Sequence, residues 1–374
     1  MAWTAYQTIL AVVMVFTGSI NTLTTKWADH LSAPGTDDKD RAFNHPFVQA
    51  LCMFFGEFLC YVVFKILYCA HHRKQDGSDE PGLIKGSQDF NPFIFLPPSL
   101  CDMIGTSLMY IGLNLTNPSS FQMLRGSVIV FVALLSMMFL RRKINWRQWI
   151  GILLVLAGLV VVGVSDYLIT NSEGNSSPSA DSDMKKIITG DVIIVGAQII
   201  TAAQMVYEEK YVAGKDIPAL QAVGWEGAFG FIILAILHIP FYFIIVPAPF
   251  ADNPRMALED FPDAMIQCWA NKLILVALVG TIVSIAFFNF AGISVTKELS
   301  ATTRMILDSV RTLFIWGFSL IVRWQKFHPL QILGFLLLII GMCIYNNLIP
   351  SLNRLFSMFR RNSREALITA EDPS

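Results

Sequence analysis

Long apolar segments separated by short polar breaks run along almost the whole chain. Each holds roughly 20 residues, the length that a helix needs to cross the hydrocarbon core of a bilayer. The pattern therefore predicts ten transmembrane helices, at residues 6–26, 47–68, 93–115, 118–140, 148–168, 190–212, 220–246, 273–295, 299–322 and 329–349. The first segment has no basic residue before it and no small-residue cleavage site after it, so we interpret it as a retained helix and not as a signal peptide.

The composition agrees with a chain embedded in a lipid bilayer and excludes several other classes of protein. Of the 374 residues, 54% are hydrophobic and 15% are charged, whereas a soluble domain has about 25% charged residues. The formal net charge of -1 argues against a nucleic-acid partner, which needs a basic surface. The six cysteines form no C-x-x-C pair and the histidines lack ligand spacing, so we expect no disulfide framework, no metal and no cofactor.

Basic residues outside the predicted helices set the expected orientation. With the N-terminus in the cytosol, fourteen Lys and Arg residues fall in cytosolic segments and nine in luminal segments. The densest basic run, 141–143 with Arg147, falls on the cytosolic side. This topology places both termini in the cytosol and the polar loop 171–186 in the lumen, where the sequon at Asn175 predicts a glycoprotein.

The two halves of the chain resemble each other at a nearly constant offset. Short matches recur 182 to 184 residues apart: Met123, Ser127 and Val128 with Met305, Ser309 and Val310; Gln148, Gly151 and Gly158 with Gln331, Gly334 and Gly341; Thr17 and Lys26 with Thr201 and Lys210. Because each half holds an odd number of spans, the second half enters the membrane from the opposite side. We therefore predict an all-α polytopic membrane protein with ten transmembrane helices arranged as a five-plus-five inverted repeat. Its predicted parts are a first repeat at 1–170, a luminal loop at 171–189, a second repeat at 190–349 and a cytosolic tail at 350–374.

Paired glycines recur on the fifth and tenth predicted helices. Gly151 and Gly158 are seven residues apart on the fifth, and Gly334 and Gly341 repeat that spacing on the tenth. A stripe of small residues lets two helices approach closely in lipid. The sequence favours packing of these helices within one chain, and a homodimer formed through the same two helices is the alternative.

Ionisable residues inside the predicted helices are costly in lipid, so each one needs a reason. On helix nine Arg304, Asp308 and Arg311 recur at i, i+4 and i+7, which places them on one face. The predicted substrate-binding residues are Asn21, Asp102, Gln122, Arg125, Arg304, Asp308 and Arg311, and the candidates for coupling are Glu57 and Glu226. We interpret them as the lining of a hydrated central cavity. The alternative is a set of ion pairs that lock helices together, Arg125 with Asp102 or Asp308 and Arg311 with Glu57 or Glu226.

Two longer runs of sequence resemble a known family of carriers. They are 118–125, Pro-Ser-Ser-Phe-Gln-Met-Leu-Arg, and 288–304, which begins Phe-Asn-Phe-Ala-Gly and ends Ala-Thr-Thr-Arg. With the phrases 17–23 and 224–230, they resemble the drug/metabolite transporter superfamily and, within it, the nucleotide-sugar transporter-like solute carrier family 35, subfamily F. The resemblance extends over residues 1–350.

The resemblance implies alternating access by a carrier in an internal membrane, with the lysosome preferred over the Golgi. It implies that helices one to four and six to nine surround the substrate, while helices five and ten lie at the periphery, often at a dimer contact. Arg125 and Arg304 match the basic residues that hold the phosphates of a nucleotide-sugar in relatives.

The residues themselves leave several functions open. One is a transporter of phosphate-bearing or carboxylated solutes with arginines as anion anchors. Another is a proton-coupled exporter of cationic or neutral solutes, because the predicted intramembrane acids outnumber the arginines by four to three. A non-transporting membrane scaffold is the third. An intramembrane protease would need a Gly-x-Gly-Asp or Gly-x-Ser-Gly element, and the sequence has neither, so we expect no enzyme.

Overall fold

A computed structural model describes residues 4–74, 83–116, 121, 123–141, 145–173, 180–247, 253–321 and 329–345. Over these residues the chain is a helical bundle. Its α-helices are α1 (Ala5–His30), α2 (Pro46–Lys74), α3 (Leu96–Leu115), α4 (Val128–Phe139), α5 (Trp146–Glu173), α6 (Ala180–Glu208), α7 (Ala219–Phe243), α8 (Phe261–Ala270), α9 (Lys272–Glu298), α10 (Ala301–Ile321) and α11 (Pro329–Tyr345). Short 3₁₀ turns at Pro92–Phe95 and Arg125–Ser127 precede α3 and α4, and a π-helical turn at Glu209–Ala213 follows α6.

Most of these helices have the length and composition of membrane spans. Six are long and apolar enough to cross a membrane, at Ala5–His30, Pro46–Arg73, Pro92–Leu113, Ile187–Val212, Ala219–Phe243 and Lys272–Glu298. Shorter apolar helices lie at Arg125–Phe139, Trp146–Val161 and Ile332–Tyr345. Helix α10 is 21 residues long but carries charged side chains that lower its hydropathy. The prediction of a mostly helical membrane protein is confirmed, while the ten crossings of an inverted repeat stay a prediction at this point.

Several helices extend beyond the apolar segments that predicted them. Helix α5 continues to Glu173 and α6 already begins at Ala180, inside the region expected to be a luminal loop. Hydropathy marks only the part of a helix that can lie in lipid, whereas its backbone hydrogen bonds continue into polar turns in water. Asn175 lies outside the described residues, so its glycosylation stays a prediction.

The helices pack mainly in pairs that join the two halves of the chain. Helix α1 packs along α9, α2 along α7, α3 along α6 and α5 along α11. In addition, α4 contacts α6, and α10 contacts α1. Each half of the sequence therefore supplies one member of every main pair, and neither half forms a separate core.

The paired glycines of α5 and α11 lie in one of these contacts. A Cβ atom on Gly151 would lie 2.7 Å from the carbonyl oxygen of Gly341, and a Cβ atom on Gly341 would lie 2.8 Å from that of Gly151. Gly158 would meet the carbonyl oxygen of Gly334 at 2.8 Å in the same way. Packing of these glycines within one chain is thus confirmed, and a homodimer would have to use other faces of the two helices.

An extramembrane clasp, formed by the β-hairpin and α8, joins the loop after α1 to the loop after α7. Strands β1 (Ser32–Pro34) and β2 (Asp40–Ala42) pair antiparallel, and the hairpin packs on α8. Asp263 of α8 accepts hydrogen bonds from the backbone N and the hydroxyl of Thr36 at 2.6 and 2.9 Å. Arg41 Nη2 lies 3.3 Å from the same carboxylate, and the His45 ring lies 2.6 Å from Glu259 and 3.5 Å from Asp263. The apolar pattern missed the clasp because its elements are too short and too polar to register as spans.

The clasp makes stability depend on pH through His45. Burial lowers the pKa of its ring, but hydrogen bonds and charges from Asp263 and Glu259 outweigh burial and raise that pKa from 6.5 to about 9. Burial raises the pKa of Asp263, but hydrogen bonds from His45 and Thr36 and the charge of Arg41 outweigh it and lower that pKa from 3.8 to about 2. The stabilisation from His45 is therefore complete below about pH 6.5 and is lost as pH rises through about 9, whereas that from Asp263 is lost as pH falls from about 4 through 2.

We expect the apparent Tm of the purified protein to fall as pH rises from 6.5 to 9.5. The loss of His45 protonation should lower the free energy of unfolding by about 3 kcal/mol at most. A His45→Gln variant should start with a lower Tm at pH 6.5 and show a flatter decline. Thermal unfolding followed by intrinsic fluorescence measures both. An identical slope in the variant and the wild type would contradict the assignment.

Candidate functional site

A central cavity of about 190 Å³ lies between α1, α3, α4, α6, α7, α9 and α10. A single water molecule needs about 10–15 Å³ of such space, so the cavity has room for a hydrated small solute. Its lining extends to Lys26 and Asp29, in the last two turns of α1, and both side chains are partly exposed. Toward the opposite end of the bundle its lining includes Arg304, in the first turn of α10.

Two arginines share one carboxylate in the cavity wall. Asp308 Oδ2 lies 3.7 Å from Arg125 Nη2, and Asp308 Oδ1 lies 2.6 Å from Arg311 Nη2. The Arg125 and Asp308 side chains keep 18% and 16% of their surface exposed, while Arg311 keeps only 4%. This arginine site, Arg125–Asp308–Arg311, carries one more positive than negative charge and is open to an anionic group from the cavity.

A helix cap, a glycine and an aromatic ring position α10 and its Arg311 side chain. Helix α10 begins with a cap in which Ser300 Oγ accepts from the backbone N of Thr303 at 3.1 Å. Gly18 of α1 clears the space for Arg311, because a Cβ atom there would lie 2.6 Å from its Cδ. The Arg311 guanidinium lies 4.7 Å from the centre of the Phe288 ring, in cation–π contact. The phrases around Gly18 and Phe288, which carry the family resemblance, therefore also hold Arg311 in place.

A buried ion pair, which we call the floor, lies at the end of the cavity away from Lys26. Arg304 Nη1 donates to Glu208 Oε2 at the end of α6. The Arg304 side chain is 7% exposed and that of Glu208 is fully buried. Gly292 of α9 makes room for the guanidinium, since a Cβ atom there would lie 2.9 Å from Arg304 Nε. The pair therefore ties α6 to α10 at the end of the bundle away from Lys26.

Further carboxyl groups surround the floor. Glu57 of α2 accepts a hydrogen bond from Asn289 Nδ2, and Asp102 of α3 accepts one from Thr106 Oγ1 at 3.3 Å. Glu226 of α7 is 6% exposed and lines the cavity. We call Glu57, Asp102, Glu208 and Glu226 together the carboxyl cluster.

The structure brings together nearly all the residues that the sequence singled out. Those in the cavity lining are Asn21, Asp102, Arg125, Glu226, Arg304, Asp308 and Arg311. Glu57 reaches the cavity through Asn289, which does line it. Gln122 lies outside the described residues, so its role stays a prediction. Arg125 and Arg311 both pair with Asp308. Of the ion pairs that the sequence left open, Arg125 with Asp308 forms. Arg125 does not pair with Asp102, and Arg311 pairs with neither Glu57 nor Glu226.

Sequence reasoning missed three charged residues of the site. Glu208 lies in a predicted span but next to the polar run 209–210, which resembles a solvated helix end. Lys26 is the last residue of the first predicted span and Asp29 lies beyond it, yet both line the cavity. The sequence did contain one indication that Lys26 belongs to the site, because Lys26 and Lys210 occupy corresponding positions in the two halves. Over the described residues there is no group of three or more His, Cys, Asp or Glu side chains suited to holding a metal ion.

Comparison with known proteins identifies relatives over nearly the whole chain. The family model described as solute carrier family 35, subfamily F, matches residues 40–246. A Homo sapiens protein named Solute carrier family 35 member F6 is 54% identical over 358 residues, which cover 95% of this chain and 93% of that protein. The Rattus norvegicus protein of the same name is 54% identical over 93% of this chain and 90% of its own length. A crystal structure that is 13% identical shares the fold at a TM-score of 0.55, over 94% of this chain and 99% of the other.

Proposed function

The chain belongs to solute carrier family 35, subfamily F, a family of membrane solute transporters, and we propose that it moves a small organic solute by alternating access. The observation that carries this proposal is the central cavity, because it presents the arginine site at one level and closes at the floor. A cavity that extends to partly exposed residues toward one side of the bundle and to a buried ion pair toward the other fits one state of such a carrier.

The helix pairs support ten crossings in a five-plus-five inverted repeat. If α1 to α5 correspond to α6, α7, α9, α10 and α11, the α1–α9 contact corresponds to α6–α3, and the α4–α6 contact to α10–α1. The α2–α7 and α5–α11 pairs correspond to themselves. This is the contact pattern that a two-fold axis in the membrane plane produces. The proposed repeats are 1–170 and 190–349, joined by the loop 171–189 and followed by the cytosolic tail 350–374.

For the substrate we propose an organic anion held by the arginine site, with nucleotide-sugars as the class that the family resemblance suggests. A phosphate or carboxylate group can accept from both guanidinium groups and displace Asp308 from one of them. The excess positive charge of the arginine site favours this exchange.

Replacing Arg125 with alanine should reduce solute flux about tenfold to a hundredfold, because a hydrogen bond to a charged group contributes about 1.5–3 kcal/mol. The measurement is uptake into proteoliposomes from a panel of radiolabelled nucleotide-sugars, nucleoside monophosphates, carboxylates and amines. Arg255→Ala is the matched control, because Arg255 stacks on Tyr242 outside the cavity, 4.3 Å from the ring centre. Equal flux in the Arg125→Ala and Arg255→Ala variants would contradict the proposal that the substrate is an anion. Absence of flux for every probe would favour the non-transporting scaffold.

A second candidate, a proton-coupled exporter of cationic or neutral solutes, is favoured by the carboxyl cluster. Four carboxyl groups face one guanidinium group at the floor, which is more acid than an anion carrier needs for charge balance. Flux of an amine probe that rises steeply with an opposing pH gradient, together with an unaffected Arg125→Ala variant, would select this function over the first.

We propose an internal membrane as the location, with the lysosome preferred over the Golgi and both termini in the cytosol. The charge bias of the loops and the family resemblance support this placement. In cells, a glycosidase-sensitive mass shift that disappears in Asn175→Gln would support the orientation. Labelling of an Asn175→Cys variant by a membrane-impermeant maleimide from the cytosolic side of intact organelles would contradict it.

A further inference from the structure

The carboxyl cluster concentrates negative charge around a single cation. Glu226 lies within electrostatic range of Glu57, Asp102, Glu208 and Arg304. These groups belong to α2, α3, α6 and α10. Four helices therefore each place a charged or ionisable side chain near Glu226 of α7. One guanidinium group cannot neutralise four ionised carboxylates in a site that excludes water.

Three buried polar atoms of the carboxyl cluster and Arg304 have no hydrogen-bond partner among the described residues: Glu208 Oε1, Glu226 Oε1 and Arg304 Nε. Those of Glu226 and Arg304 bear on the cavity. Glu226 Oε1 is buried and accepts no hydrogen bond from any described residue. Arg304 Nε is likewise buried without a hydrogen-bond acceptor over the part of the chain that the structure covers. An ionised carboxylate buried in this way depends on the positive charge of Arg304, whereas a protonated carboxyl group needs no counter-ion. Both atoms belong to residues of the cavity lining.

The segment next to the floor departs from α-helical geometry. Directly after Glu208, α6 changes from α-helical to π-helical at Glu209–Ala213. Such wide turns occur mostly as short interruptions of α-helices, frequently at functional sites. Because Glu208 is the last α-helical residue before this turn, a change in the turn would move its carboxylate relative to Arg304.

We propose that the carboxyl cluster is a proton-binding site, separate from the arginine site, and that its protonation opens the floor. With the cluster deprotonated, its negative charge holds Arg304 against Glu208 and the cavity end stays closed. A proton on Glu226 removes part of that charge, so Arg304 can leave Glu208 and the cavity opens toward the end of α6. The proton and an organic anion then occupy different ends of the same cavity and can be bound together. The inference rests on the proposed function for its role in transport, although the opening itself does not require a known solute.

The surroundings of Glu226 contain few other groups that could respond to pH. Helix α9 presents the neutral amide of Asn289 to Glu57, and Ser99 of α3 donates to the Glu226 backbone carbonyl at 2.9 Å. The thiols of Cys60 and Cys101 also lie near the cluster and are uncharged at the pH of an organelle or of the cytosol. The carboxyl groups are therefore the groups of this site to which we assign the response to pH.

Hydrogen–deuterium exchange of the full-length protein in nanodiscs tests the proposal without any solute. Exchange is measured at pH 5.5 and 7.5, corrected for the intrinsic pH dependence, in peptides covering 205–216 and 297–305. In the wild type these peptides should exchange about tenfold faster at pH 5.5, a factor typical of coupling between two sites. Glu226→Gln, which mimics the protonated form, should exchange fast at both pH values, and Asp102→Asn is a second variant in case Glu226→Gln does not fold. Asp38→Asn is the matched control, because Asp38 is exposed in the turn of the hairpin, outside the cavity lining, has a backbone conformation that asparagine tolerates, and should keep the wild-type response.

The outcomes separate this inference from the proposed function. A wild type without pH-dependent exchange at the floor, or an amide variant that keeps the full response, would overturn the proton site even if solute flux is observed. A pH-dependent floor in a protein that transports no probe would leave the proton site standing and remove the transport proposal.

Discussion

Replacement of Arg304 with alanine is expected to lower the stability of the protein by about 3–5 kcal/mol, the cost of breaking a buried ion pair from one side. The substitution leaves Glu208 buried without its partner and also removes the cation that faces Glu226. Glu208→Gln should cost less, since the arginine keeps other carboxylates nearby. The apparent Tm in detergent measures both, and a loss of about 10 °C is expected for Arg304→Ala.

Lys297→Ala is the control for this prediction. Lys297 also forms an ion pair, 2.6 Å from Asp216, but 73% of the Asp216 side chain is exposed. Exposed pairs contribute about 0–1 kcal/mol, so this variant should unfold close to the wild-type temperature. Similar losses for Arg304→Ala and Lys297→Ala would show that the floor is not a desolvated pair.

A methyl group on Gly227 is expected to destabilise the bundle by about 3 kcal/mol or more, at the upper end of the cost of overpacking. The added Cβ atom would overlap the Glu57 side chain and the backbone N of Phe58, and would lie 2.6 Å from the Glu57 carbonyl carbon. Backbone atoms cannot move aside as a flexible side chain can, so α2 and α7 would have to separate. Because Glu57 and Glu226 flank this contact, a lower Tm in Gly227→Ala should be accompanied by a loss of flux.

Gly196→Ala provides a control of opposite sign. No atom lies within 4 Å of the Cβ position at Gly196 on α6, and alanine favours a helix over glycine by about 1 kcal/mol. The apparent Tm of this variant should therefore stay the same or rise slightly. A comparable loss in both variants would mean that the α2–α7 contact is looser than the structure describes.

The sequence predicted the helices and the charged face of α10 because both follow from local rules. Apolar length identifies a span, and the spacing of Arg304, Asp308 and Arg311 fixes their common face whatever the helix packs against. The glycine contact between α5 and α11 was also predictable, since small residues on two helices suit a close approach.

Partner choice could not be predicted in the same way. Whether Arg125 meets Asp102 or Asp308 depends on how α4, α3 and α10 are rotated, and packing across the two halves sets those rotations. The burial of Glu208 could not be predicted from the sequence, because a helix end next to polar residues becomes buried only when the whole bundle has assembled. The clasp depends on contacts between residues more than 200 positions apart, such as His45 with Glu259, and no local pattern encodes them.

The sharing of Asp308 between Arg125 and Arg311 has a consequence for selectivity. The Asp308 carboxylate already contacts both guanidinium groups, so an incoming anion gains only the difference between its own contacts and those of Asp308 that it displaces. A spherical inorganic ion such as chloride offers no forked pair of acceptors and gains little from that exchange. A rigid oxyanion that can engage both guanidinium groups gains more. The proposed binding of an organic anion at the arginine site therefore predicts weak competition by chloride.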